Sequence, residues 1–78
     1  MNEPSYGKSN LIEIDNRPYQ IQAAEFEDET VFFLKDDNQI LCAIMLDENQ
    51  QWAPDCKLTG EQFEQVMKWI RKLYMKDH

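Results

Sequence analysis

Between residues 11 and 53, short runs rich in apolar residues are separated by acidic or amide-rich segments. In the run "YQIQA", Tyr19, Ile21 and Ala23 fall on one side of an extended chain, and Gln20 and Gln22 fall on the other. A period of two is typical of a β-strand with one buried face. The run "LIEI" alternates in the same way, "TVFFLK" has the β-branched and aromatic content of a strand, and "ILCAIMLD" is a strand-sized run that is apolar on both faces. The run "QWA" can add a short fifth strand.

The segments between the runs, "DNRP", "EDE", "DDNQ" and "DENQ", predict tight turns. Asp and Asn side chains hydrogen-bond to the nearby backbone and tolerate the left-handed conformations that such turns require. Because tight turns join antiparallel neighbours, we predict an antiparallel meander of four to five strands. Phe26 falls out of step with Tyr19 and Ile21, which predicts a β-bulge near residues 23–24.

The last third of the chain predicts one amphipathic helix. Thr59 is a typical N-cap, Gln62 completes a capping box, and Leu58 and Phe63 can form a hydrophobic staple around the helix start. The apolar positions then repeat at helical spacing, at Phe63, Val66, Met67, Ile70, Leu73 and Tyr74. A helix with this apolar stripe is expected to pack against a sheet.

These elements predict an α+β fold of the order β-β-β-β-(β)-α. It is a four- to five-stranded antiparallel meander sheet with one C-terminal amphipathic helix packed on one face. Residues 1–9 contain Pro4, Gly7 and two serines without any periodicity. We therefore predict a flexible N-terminal leader at residues 1–9, followed by a single α+β domain at residues 10–76.

The second face of the predicted sheet is the feature that bears most on function, because one helix covers only one face. The runs "VFFL" and "ILCAIML" are apolar on both faces. The residues predicted to share the uncovered face are Phe32, Leu34, Leu41, Ala43 and Met45. A patch of this kind usually marks an interaction surface. We predict that a second copy of the chain covers it as a homodimer. The alternatives are another protein, a small apolar ligand, or coverage by the leader or a curled sheet.

The net charge of −7, from 15 acidic and 8 basic residues, restricts the partners. Nucleic acids and anionic membranes need clustered Lys and Arg, and no run approaches the roughly 20 apolar residues of a membrane span. We therefore predict neither as a partner. The turn formed by Glu27, Asp28 and Glu29 is a candidate acidic contact for a basic partner. An acidic inhibitor or immunity-type protein is thus the alternative to a self-associating interaction module.

Residues that carry chemistry are sparse in this sequence. His78 is the one histidine, and two cysteines are too few for a zinc site, so we predict no enzyme, no metal and no cofactor. Cys42 lies in the most apolar run and is predicted to be a core residue. For Cys56, beside Lys57 and ahead of the helix, two interpretations stay open: a reactive thiol or a turn residue. With reduced thiols and no signal peptide, we predict a cytoplasmic location.

Overall fold

A computed structural model describes Glu3 and residues 5–75. Its elements, in chain order, are β1 (Ser5–Ile14), β2 (Arg17–Phe26), β3 (Glu29–Asp36), β4 (Gln39–Leu46), β5 (Trp52–Pro54) and α1 (Gly60–Tyr74). The strands form one antiparallel sheet of order β1-β2-β3-β4-β5, so each strand lies beside its neighbours in sequence. The predicted α+β fold, an antiparallel meander followed by one C-terminal helix, is confirmed with five strands.

Two hairpin turns carry the acidic and amide residues that their backbone requires. Asp15 and Asn16 have φ angles of 53° and 63°, and Asp37 and Asn38 have φ angles of 53° and 70°. Two-residue hairpin turns of type I′ need positive φ at both positions, and Asn and Asp are the non-glycine residues that adopt it most readily. Because this turn chemistry is local, the sequence locates both turns correctly.

The first strand begins earlier than predicted. β1 starts at Ser5, so residues 5–9 of the predicted leader belong to the sheet. All five of these residues are exposed, and a strand without a buried side leaves no alternation to detect. Residues 1, 2, 4 and 76–78, which include three of the other four predicted leader residues and the predicted end of the domain, lie outside the described residues.

The β-bulge predicted near residues 23–24 is absent, because β2 pairs with β3 without interruption from Gln20 to Phe26. The irregularity lies in the facing strand, where the register of β1 shifts between Tyr6 and Ser9. Phe26 keeps its place in the alternation, and its ring packs edge-on against Tyr6 at a centroid distance of 6.4 Å. Phe26 is out of step with the core because it lies on the opposite face of the sheet.

The core lies between α1 and one face of the sheet, which we call the helix-side face. Its buried residues are Ile12, Ile14, Ile21, Phe32, Leu34, Cys42, Ile44, Val66, Met67 and Ile70. Burial of one such aliphatic side chain contributes roughly 1.5–3 kcal/mol. The predicted apolar stripe of the helix is therefore confirmed, with its central positions buried and Phe63, Leu73 and Tyr74 half-buried at its margins.

The start of α1 is held by a network that also fixes the first hairpin. The N–H of Gln62 donates to Thr59 Oγ1 and the N–H of Thr59 donates to Gln62 Oε1, each at 3.1 Å, so the predicted capping box is confirmed. The side-chain amides of Gln65 and Gln62 donate to the Asp15 carboxylate at 2.8 and 3.1 Å, and they lower the pKa of Asp15 from its ordinary value of 3.8. A lowered folded-state pKa stabilises the fold above pH 3.8, and this stabilisation is lost as the pH falls through the folded value.

The exposed edge of β1 is partly covered by the helix. The indole Nε1 of Trp69 donates to the backbone oxygen of Glu13 at 2.9 Å. The Nζ atom of Lys72 lies 5.2 Å from the centre of the Trp69 ring, within the range of a cation–π contact. Trp69 therefore satisfies a backbone acceptor on an edge strand.

A one-residue bulge in β4 changes which side chains of β3 and β4 share a face of the sheet. Lys35 pairs with Ile40, but Leu34 pairs with Cys42, so Leu41 is an extra residue. Without the bulge Leu34 would pair with Leu41, which is the pairing that the predicted face implies. A shift of one residue moves every later side chain of the strand to the other face.

The five residues predicted to share the uncovered face are therefore divided between two faces, and the prediction is wrong for them as a set. Phe32 and Leu34 are each 2% exposed and belong to the core on the helix-side face. Leu41, Ala43 and Met45 belong to the opposite face, which we call the outer face. On that face Leu41 and Met45 are exposed and Ala43 is buried.

The two cysteines form a disulfide, with the Cα atoms of Cys42 and Cys56 5.3 Å apart. This corrects the prediction of reduced thiols, although Cys42 lies in the core as predicted. After β5 the chain stays beside β4, because the N–H of Asp55 donates to Ala43 O at 2.9 Å and the N–H of Ala43 donates to Asp55 Oδ1 at 2.8 Å. Cys56 is thereby placed at the Cα separation that disulfides require.

Candidate interaction groove

The helix is shorter than the long strand β2, and this leaves part of the sheet uncovered. The 15 residues of α1 extend for about 22 Å, whereas the 10 residues of β2 extend for about 33 Å. Because α1 begins beside the β1–β2 turn, it ends before the opposite end of the helix-side face. The uncovered end is a groove of about 550 Å³, which we call the aromatic groove.

Three aromatic side chains form the floor of the aromatic groove. The ring centre of Phe32 lies 5.3 Å from that of Trp52 and 5.0 Å from that of Tyr74, and both pairs are tilted. Phe32 is buried, whereas Trp52 and Tyr74 are half-buried. Aromatic pairs of this geometry contribute about 0.5–1.5 kcal/mol beyond their burial. The floor is thus packed in place and still presents apolar surface.

Two strands fix the hydroxyl end of Tyr74. Its oxygen accepts a hydrogen bond from Asn10 Nδ2 at 2.9 Å, and its O–H donates to the backbone oxygen of Ile21 at 3.4 Å. The ring is therefore held from β1 and β2 while it packs on Phe32 of β3. From the sequence, Tyr74 is only the last member of the apolar helix stripe, and its position at the groove depends on where the helix ends.

One wall of the aromatic groove is β5, the shortest strand of the sheet, and it carries Trp52 of the floor. β5 has three residues, and its pairing with β4 runs from Leu46 opposite Trp52 to Ile44 opposite Pro54. The disulfide at Cys56 follows two residues later. Trp52 therefore depends on a short edge strand that is anchored by the covalent bond just beyond it.

Four carboxylates surround the floor of the groove. Glu25, Asp28 and Glu29 lie on the β2–β3 side, and Asp47 lies on the β4–β5 side. All four are exposed, and in the described part of the chain no lysine, arginine or histidine lines the groove. Asp47 also orders its own loop, because its Oδ1 accepts two backbone hydrogen bonds at 2.8 and 3.0 Å. The rim therefore has a negative potential that favours cationic groups.

The predicted acidic contact turn meets the groove only in part. Asp28 and Glu29 line the aromatic groove, and Glu27 does not. Glu27 has a φ of 51°, so its role in the turn is a backbone one. Glu25 and Asp47 also belong to the rim and were not predicted from the sequence, because the rim forms only where two loops of the meander lie at the same end of the sheet.

The outer face presents exposed apolar residues, and one of them, Met45, also lines the aromatic groove. Leu41 and Met45 on β4 are 46% and 38% exposed, and Tyr6 and Leu11 on β1 are also exposed. Phe33 lies on β3, where it pairs with Gln22 of β2 and Ala43 of β4, and it is half-buried. The exposed apolar side chains of this face are therefore divided between β1, at one edge of the sheet, and β4, near the other edge.

One group of potential metal ligands is brought together within the described residues. The ligand atoms of Cys42, Asp55 and Cys56 lie within 4.8 Å of one another. Two of these atoms are the sulfurs of the disulfide, and thiolates rather than disulfide sulfurs bind metals. The Asp55 carboxylate already accepts the Ala43 hydrogen bond. The group is therefore a structural joint between β4 and the segment before α1.

Comparison with known proteins gives no relative for this chain. No protein-family model matches it, and neither a curated protein nor a solved structure matches it. Among the residues that the structure describes, no helix has both the length and the apolar character needed to cross a membrane.

Proposed function

We propose that this chain is a non-catalytic protein-interaction module that binds a basic segment of a partner protein in the aromatic groove. One observation carries the proposal: an aromatic floor is surrounded by four carboxylates, with no basic residue among the described residues that line the groove. The partner segment has one large apolar side chain between lysines or arginines. An acidic inhibitor or immunity-type protein would bind its target in this way.

The floor and the rim contribute differently to such binding. An apolar side chain buried against Trp52 and Tyr74 contributes roughly 1.5–3 kcal/mol. A cation beside an exposed carboxylate contributes about 0.2–1 kcal/mol and is screened by salt. We therefore expect the floor to set most of the affinity, and the rim to set the association rate and its dependence on salt.

We propose the cytoplasm as the location of this module. The disulfide does not conflict with that location if the bond is regulated, because disulfides in reducing compartments are usually transient or redox-sensing. A permanent disulfide would instead indicate an oxidising compartment. Alkylation of free thiols in intact cells, followed by a mass measurement, distinguishes the two states.

The groove is tested with a labelled peptide of one tryptophan flanked on each side by two lysines, by fluorescence anisotropy on the oxidised protein. The variant D28N/E29Q is expected to weaken binding about 3- to 10-fold, because two rim charges are lost. The matched control D36N/D37N removes two carboxylates from the turn at the opposite end of the sheet. It should stay within about twofold of the unaltered protein, since distant exposed charges are screened.

A second peptide, with glycine in place of the tryptophan, tests the floor of the groove. It is expected to bind at least about tenfold more weakly, because the apolar anchor is lost. Equal affinity for the two peptides would contradict the role of the floor. Equal weakening by D28N/E29Q and D36N/D37N would reduce the interaction to general charge attraction and would contradict recognition in the groove.

Self-association through the outer face is the second candidate function, favoured by the exposure of Leu41 and Met45. In this case light scattering at high protein concentration gives twice the 9.3 kDa chain mass. The variant L41K/M45K should return the protein to a monomer, because two charges would be buried in the interface. D36N/D37N changes the net charge equally and should stay dimeric. A monomer mass for the unaltered protein would exclude this candidate.

A further inference from the structure

We infer that the disulfide between Cys42 and Cys56 is a reversible latch on the aromatic groove. In the oxidised state it holds Trp52 in the groove wall. When a dithiol reduces it, the wall loosens and the affinity for a basic, apolar-anchored peptide falls. This inference rests on the proposed function of the groove and names its regulation.

The latch follows from how β5 is attached to the sheet. The disulfide spans a sequence separation of 14 residues, so Trp52 lies inside a covalently closed loop. Three residues of strand pairing are too few to hold an edge strand firmly by themselves. Beyond β5, the hydrogen bonds between Asp55 and Ala43 are the remaining polar contacts that keep this segment beside β4. Removing the covalent bond therefore weakens the anchoring of the Trp52 wall.

Reduction of the disulfide by thiol–disulfide exchange begins at one of its two cysteines. Cys42 is buried, whereas Cys56 is half-buried and is the more accessible of the two residues. A thiolate of the dithiol attacks Cys56 Sγ, the Cys42–Cys56 bond breaks, and Cys42 leaves as a thiolate that takes up a proton. The second thiol of the dithiol then displaces Cys56, which is protonated in turn. The protein gains two electrons and two protons, and the dithiol becomes a disulfide.

The Asp55 carboxylate lies within 4.8 Å of both sulfur atoms. Its negative charge repels the attacking thiolate and the departing Cys42 thiolate, so it slows reduction. Asp55→Asn removes this charge, and its side-chain oxygen can still accept the hydrogen bond of Ala43. We expect this variant to be reduced several-fold faster at low salt, with a smaller difference at high salt.

Loop closure sets an upper limit on the size of the effect. A covalent loop of this length reduces the number of conformations available to the open chain by a factor on the order of a hundred. The peptide binds only molecules in which the wall is closed, so its apparent affinity falls in proportion to their fraction. We expect the tryptophan–lysine peptide to bind the reduced protein about tenfold more weakly than the oxidised protein. The variant C42A/C56S should match the reduced protein and should not respond to reductant.

The experiment measures peptide affinity and backbone amide exchange on oxidised and reduced protein, with circular dichroism to confirm that both are folded. The latch predicts faster exchange at Ala53 after reduction, with little change at Ile21 in the centre of the sheet. Equal exchange at Ala53 in the two states overturns the latch. If exchange at Ala53 is faster after reduction but peptide affinity is unchanged, the disulfide does not regulate binding, and the proposed binding in the groove still stands. If the peptide binds neither state, the proposed function fails, and the exchange data still decide whether the latch exists.

Discussion

Ile44→Ala is expected to lower the free energy of unfolding by about 2–5 kcal/mol, measured by urea denaturation of the oxidised protein. Ile44 has no exposed surface and lies between Phe32 on β3 and Pro54 on β5. Its truncation leaves a cavity where the sheet, the helix and the groove floor meet. In a chain of 78 residues this is a large part of the total stability.

The matched control is Ile40→Ala, the same substitution on the same strand. Ile40 is 58% exposed, so its truncation should cost less than about 1 kcal/mol. Similar losses at Ile40 and Ile44 would contradict the register of β4 and the burial that follows from it. A loss at Ile40 that depends on protein concentration would indicate instead that a second copy covers this residue.

Loss of the disulfide is expected to have the next largest effect. C42A/C56S should lower the free energy of unfolding by about 3 kcal/mol, because the unfolded chain is no longer constrained by a closed loop of this length. Alanine suits the buried Cys42 site, and serine suits the half-buried Cys56 site. Urea denaturation should give the variant and the reduced unaltered protein the same stability within about 1 kcal/mol.

Comparing the oxidised protein, the reduced protein and C42A/C56S separates the effect of the covalent bond from the effect of core packing. If the unaltered protein is equally stable with and without reductant, the disulfide does not constrain the unfolded chain in solution. If the variant is much less stable than the reduced protein, the substitutions themselves have disturbed the core at Cys42. Either result would contradict the stated origin of the stability.

The sequence predicts the features of this fold that depend on neighbouring residues. The turn at Asp15 and Asn16 and the capping box of Thr59 and Gln62 are examples, because each is determined within four residues. The bulge at Leu41 is not of this kind. It adds one residue to a strand that is apolar on both faces, so either register gives an apolar core and the alternation does not decide between them.

The disulfide and the aromatic groove depend on contacts between distant residues. Cys42 and Cys56 meet because Asp55 bonds back to Ala43, and no local pattern indicates that contact. The groove floor combines Phe32, Trp52 and Tyr74 from three elements, and it is open only because the helix ends where it does. Composition identifies the acidic character of the chain, but the location of the groove requires the lengths and the packing of the elements.

The contact between Trp69 and Glu13 has a consequence for how this sheet avoids stacking with copies of itself. An uncovered edge strand recruits other strands by main-chain pairing and can grow into an open-ended fibre. Here one outer strand has its Glu13 acceptor occupied by an indole, and the other is three residues long and ends in proline, which has no N–H to offer. Each border of the sheet is thus partly blocked as a template for strand addition. Concentrated protein should form β-rich aggregates more readily when Trp69 or Pro54 is replaced.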